Sequence, residues 1–155
     1  MKRKVLSAAL ALVVGAGTGY VLNVFAQQKP EVLVGQRQAA MKLQGKYFGP
    51  LSGMAQGKIP YDAKIVARNA GYLSALSEMP WDGFTPDTKD TPEKTRALPA
   101  IWAEPAKFKE AQEHFQGAVS KLAAASKGGD EGNTKAAIGE VGKACGACHE
   151  HFRAK

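Results

Sequence analysis

TKAAIGEVGKACGACHEHFR, residues 134–153, combines a helical apolar period with a Cys-x-x-Cys-His motif. Ala137 or Ile138, then Val141, Cys145, Cys148, His149 and Phe152 recur at spacings of three and four, the inward stripe of an amphipathic helix. Asn133 or Thr134 is the expected N-cap. Two thiols three positions apart on a helix can each bond one vinyl group of a haem. The adjacent imidazole of His149 can then ligate the iron. Cys145 and Cys148 are the only cysteines, so the motif reads as one covalent haem attachment site per chain. The competing readings are a zinc half-site and a dithiol redox pair. Zinc wants four ligands, and only His114 and His151 remain to help. A redox dithiol is expected after a strand in a βαβ unit, and this context is helical.

Upstream, Gly128-Gly129-Asp130 breaks a third helical segment that begins near Glu104-Pro105 or at Ala100. Phe108, Ala111, Phe115, Val119 and Leu122 form its stripe. From Trp81 to Pro99 the chain has no helical period, which predicts a long irregular crossover pinned to the core by Trp81 and Phe84. The second helix starts after Asp62, a natural N-cap, buries Ile65, Val66, Asn69, Leu73 and Leu76, and ends at Met79-Pro80. The first runs from about Pro30 to Leu51, where Pro30 and Glu31 suit a helix start. Its stripe holds Leu33, Arg37, Ala40, Met41, Gln44, Tyr47, Phe48 and Leu51, and Gly49-Pro50 is expected to weaken its last turn. Met54 and Met79 read as packing residues, and His114 as a surface residue. His151, two positions beyond His149, points away from it. Four amphipathic helices with one long crossover predict an all-α fold, an antiparallel four-helix bundle. Bundle cores are places for cofactors, so the haem is expected inside, near the C-terminal helix.

Lys2, Arg3 and Lys4 precede an apolar stretch from Val5 to Val14, and Val24-Phe25-Ala26 offers a cleavage site before Gln27. Residues 1–26 therefore read as a secretory signal and 27–155 as one four-helix-bundle domain. A retained anchor is the alternative, but Gly15, Gly17, Thr18, Gly19 and Asn23 make a poor permanent span. Removing the three cations lowers the formal charge from +7 to +4. The remaining Lys and Arg are scattered, which gives no warrant for nucleic-acid binding. A weak steering role toward acidic partners is open.

The chain resembles class II c-type cytochromes, above all cytochrome c′. The resemblance rests on Lys29-Pro30-Glu31, Arg37-Gln38, Phe48-Gly49, Pro60-Tyr61-Asp62-Ala63, Pro80-Trp81 with Phe84, Ile101-Trp102, and Cys145 to Arg153. It implies a periplasmic protein with haem c on Cys145 and Cys148 and His149 as the proximal iron ligand. Arg153 matches an arginine one turn beyond that His, and Arg37 one that can meet a haem propionate. Physically, a guanidinium on a buried face wants an answering anion, although an exposed, snorkelling Arg37 is the alternative. Met41 matches the position facing the distal side of the iron, where it could ligate or only cover it.

Two haem functions follow: electron transfer with redox partner proteins, or binding of NO or CO at the distal side. An enzyme is not expected. Peroxidase work wants a distal acid–base group, and the sequence places none. Homodimerisation is implied by the resemblance alone, through the first two helices.

Overall fold

The structure, a computed structural model, describes residues 28–155. The expected signal segment 1–26 and its expected cleavage site lie outside the described residues. The fold is an all-helical four-helix bundle: α1 (Pro30–Ala55), α2 (Ala63–Leu76), a short α3 (Ala100–Ala103), α4 (Pro105–Ala125) and α5 (Glu131–Phe152). The bundle is made by α1, α2, α4 and α5. α5 packs on α4 and α1, and α2 on α1 and α4. Each helix turns its apolar stripe inward. Leu51 and Met54, Val66 and Leu73, Val119 and Leu122, and Ile138 and Val141 meet in one buried core. No described helix is long and apolar enough to cross a membrane.

Helix α1 runs one turn past its expected end and straight through Gly49-Pro50. Pro50 cannot donate to the carbonyl four residues back, at Lys46. Both residues are exposed, so water can serve that carbonyl. The turn that follows buries Leu51 and Met54, which offsets the lost bond. Met54 is thus a core residue of α1 rather than of a connection. Met79, expected to pack, is 56% exposed instead, because α2 ends at Leu76 and the chain turns away.

Asp62 caps α2 as expected, accepting from the amides of Lys64 at 2.8 Å and Ile65 at 3.0 Å. The start of α5 differs from expectation: Asp130 is the cap, accepting from Asn133 N at 2.7 Å. Thr134 is buried in the first turn, its hydroxyl 2.7 Å from Asp130 O and 3.1 Å from Ala125 O, which ties α5 to the end of α4. Gly129 precedes the cap with a φ of +75°, a conformation that favours glycine.

The crossover is less irregular than its sequence. It contains two single 3-10 turns, Trp81–Gly83 and Pro86–Thr88, before α3. Trp81 and Phe84 do pin it. The Trp81 indole donates to Ser77 O at 2.5 Å and packs edge-on against Phe108 and Phe115. Phe84 meets Phe108 with ring centroids 5.0 Å apart, and Phe108 meets Phe152 of α5 at 5.2 Å. The far end of the crossover is held by backbone. Ala97 pairs with Arg153 in an antiparallel bridge, with Leu98 N donating to Phe152 O and Ala154 N to Arg96 O.

Asp62→Ala and Asp130→Ala should each cost about 1 kcal/mol, because each strands helix N–H donors. Thermal unfolding of the haem-loaded protein should show melting points lowered by a few degrees. An unchanged melting point would show that the cap bonds contribute nothing.

Candidate functional site

A cavity of about 620 Å³ opens among α1, α5 and the crossover. That volume is typical of cofactor sites. Arg37, Met41, Gln44 and Phe48 line it from α1, and Val141, Ala144, Cys145, Cys148, His149 and Phe152 from α5. Leu73, Trp81, Phe84, Phe108 and Phe115 make its floor largely apolar. All six residues singled out in the sequence, Arg37, Met41, Cys145, Cys148, His149 and Arg153, lie on this one wall system. Helical spacing explains half of that. Residues three and four apart share a face, so 145, 148 and 149 point one way, as do 37 and 41. Bringing the two faces together takes the packing of α1 on α5.

Both cysteines are half-buried, and no disulfide joins them. Burial pushes the Cys145 thiol up to about 11, with the neighbouring Cys148 adding to the effect. Burial also raises Cys148. Thiol–disulfide exchange runs through thiolate, which is scarce under these conditions. His149 is shifted down, first by burial and then by the positive charge of Arg96. Both causes favour the neutral imidazole, the form that binds a metal. Among the described residues no cluster of three or more His, Cys, Asp or Glu could hold a metal ion. An iron here would need most of its ligands from a macrocycle. Two thiols, one neutral imidazole and an apolar cavity of this size fit a haem.

Arg37 is only 2% exposed. Burial lowers its pKa, but a guanidinium stays charged in a protein. Its Nη1 donates to Gly83 O at 2.6 Å and Thr88 Oγ1 at 3.0 Å, and its Nη2 to Thr95 Oγ1 at 3.1 Å. The guanidinium carbon lies 4.6 Å from the centre of the Phe84 ring. The snorkelling alternative is therefore wrong: the side chain is turned inward and bolted to the crossover. A Cβ on Gly83 would stand 2.7 Å from Arg37 Cβ and 2.8 Å from Leu33 O, so only glycine lets the two segments approach this closely. Met41 is half-buried at the cavity wall. Arg153 ends α5, its amide donating to His149 O at 3.2 Å, and its backbone is extended where it bridges to Ala97.

The other histidines lie outside the cavity. His114 is exposed on α4, and His151 Nε2 sits 2.9 Å from Glu104 Oε1. Sequence reasoning missed the crossover's share of the wall, Lys94, Thr95, Arg96 and Ala97. No period marks these residues. They reach the cavity because Ala97 is bridged to the end of α5.

A family model described as Cytochrome C′ matches residues 32–153. The cytochrome c′ of Rubrivivax gelatinosus is 46% identical over 128 residues, covering 83% of this chain and 98% of the relative. Its crystal structure matches with a TM-score of 0.78, over 82% of this chain and 98% of that one. A nitric oxide complex of a point mutant of cytochrome c prime from Alcaligenes xylosoxidans matches with a TM-score of 0.74 at 41% identity, over 82% and 98% of the two chains.

Gly83→Ala should force the crossover off α1 and cost about 1–3 kcal/mol, as overpacking does. Limited proteolysis should then cut between residues 84 and 97 well before it cuts the parent. Equal protection in both proteins would show that the close approach is dispensable.

Proposed function

The chain belongs to the cytochrome c′ family and carries covalently attached haem c, and we propose that it is an exported electron carrier rather than an enzyme. When bound, haem would supply a one-electron iron couple and an iron able to take a further small ligand. In this reading Cys145 and Cys148 form the thioether links, and His149 is the proximal iron ligand. Arg37 answers a propionate. A guanidinium has five N–H donors, and the three bonds to the crossover leave two for an anion. Arg153, one turn beyond His149, holds a positive charge near the proximal imidazole. Residues 1–26 act as the signal, and the domain 27–155 works in the periplasm. The exposed Leu43 of α1 and Tyr72 of α2 support a homodimer through these helices.

The observation that carries the electron-transfer reading is Met41. It comes from α1 to the same cavity that His149 reaches from α5. A thioether and an imidazole on one iron would leave little to rearrange when the oxidation state changes, and a soft thioether can raise the potential. The second reading is binding of NO or CO. Met41 and Phe48, the apolar side chains that α1 gives to the cavity, and the nitric oxide complex of the Alcaligenes xylosoxidans relative favour it. The cavity's histidine is His149, already committed to the iron. No second imidazole is at hand there among the described residues for peroxidase-type proton transfer.

Denatured protein should keep haem on the polypeptide by mass spectrometry, and loss of haem to acid acetone would refute the thioether links. His149→Ala should abolish the native iron spectrum. For Met41, the ferric absorption spectrum of the parent is the first measurement. A low-spin spectrum with a sulfur–iron band, converted by Met41→Ala to high spin with a lower potential, supports the carrier. A high-spin parent in which Met41→Ala speeds CO binding supports the gas-binding reading. If the substitution alters neither spectrum nor CO binding, Met41 does not face the iron.

A further inference from the structure

The cavity that holds the cofactor has a one-signed wall. Arg37, Lys42, Lys94, Arg96 and Arg153 line it, and among the described residues no Asp or Glu does. From residue 28 onward the chain has eighteen Lys and Arg against fourteen Asp and Glu, an excess of four. The five cations at this one site exceed the whole of it, so the rest of the molecule is close to neutral. Composition alone shows the residues as scattered. The fold gathers them, Lys42 from α1, Arg153 from the end of α5, and Lys94 and Arg96 from the bridged end of the crossover.

Arg37 is buried, whereas Lys42, Lys94 and Arg96 are exposed and Arg153 half-exposed. The surface ion pairs Lys109–Glu113, Lys135–Glu131 and Lys143–Glu140 lie on α4 and α5, Lys107–Glu104 lies at the start of α4, and none of these residues lines the cavity. The two propionates of a haem would answer two of the five cations and leave three. The backbone that presents Lys94 is held in place. Gln38 Nε2 donates to Lys94 O at 2.8 Å, and the next residue, Thr95, accepts from Arg37. A rigid cationic rim beside a low-dielectric cavity focuses the field on whatever approaches the cofactor.

We propose that this mouth is the docking surface for the acidic face of a redox protein, with Lys42 and Lys94 as its outer contacts. The inference rests on the electron-carrier reading and adds where, and to what charge, the carrier presents its cofactor. Lys42 and Lys94 steer the partner and set orientation. They contribute to the rate of encounter more than to its strength.

The test compares the haem-loaded parent with a Lys42→Glu/Lys94→Glu variant and with a Lys58→Glu/Lys127→Glu control of equal net charge, whose changes lie in the connections far from the cavity. Electron exchange is followed with anionic hexacyanoferrate and with cationic hexaammineruthenium at low and high salt. Binding of poly-L-glutamate, a stand-in for an acidic surface, is followed by calorimetry. At low salt the rim variant should react about tenfold more slowly with hexacyanoferrate and faster with hexaammineruthenium. The difference should vanish at high salt. The parent and the control should bind poly-L-glutamate, and the rim variant should not. Equal effects in rim variant and control would overturn the proposal, since net charge would then suffice. Charge-sensitive rates without poly-L-glutamate binding would also overturn it, leaving steering of small ions only. Failure of the parent to exchange electrons with either reagent would instead sink the carrier reading, and the docking surface with it.

Discussion

The buried guanidinium of Arg37 is the constraint on which the site depends. A four-helix bundle with a long crossover has one connection that no short turn fixes. Here Arg37 fixes it by donating to Gly83, Thr88 and Thr95 at once, from a position almost sealed from water. Charged donors make stronger hydrogen bonds than neutral ones, and removing them from water makes each lost bond costly. The stacking of Phe84 over the guanidinium adds a second contact to the same group. Because Gly83 has no Cβ, the crossover can sit directly on α1 at this point.

From that anchor the rest of the wall follows. The aromatic chain Trp81, Phe84, Phe108 and Phe152 runs from the crossover through α4 to α5. The Ala97–Arg153 bridge closes the other end onto the last turn of α5, beside His149. The segment between the two fastenings forms the wall that carries Lys94 and Arg96. One feature therefore positions the cofactor cavity, shields it and charges its mouth. The same arrangement brings Arg96 close enough to His149 to help keep that imidazole neutral.

Much of this was legible in the chain. The stripes of α2, α4 and α5 follow from spacing, because a helix of 3.6 residues per turn leaves little choice about which side chains share a face. Asp62 was readable as a cap for a local reason, since a carboxylate two or three residues before free amides needs no distant partner. Pro50 lowers local propensity, yet burial of Leu51 and Met54 one turn on carries α1 past it. At the start of α5, three neighbouring polar residues could each have capped. Packing decided in favour of Asp130, because the Thr134 hydroxyl was already turned to Ala125.

By itself, the sequence determined the helical class, the family, and the Cys-x-x-Cys-His spacing at residues 145–149 on which the proposed haem attachment rests, since all of these are encoded in short-range spacing. Tertiary structure decided which distant faces meet. Arg37 could not be distinguished from a snorkelling surface arginine until its acceptors, 46 to 58 residues away, were in place. The concentration of positive charge is of the same kind. It depends on three segments meeting at one cavity mouth, and a charge count along the chain is blind to distances in space.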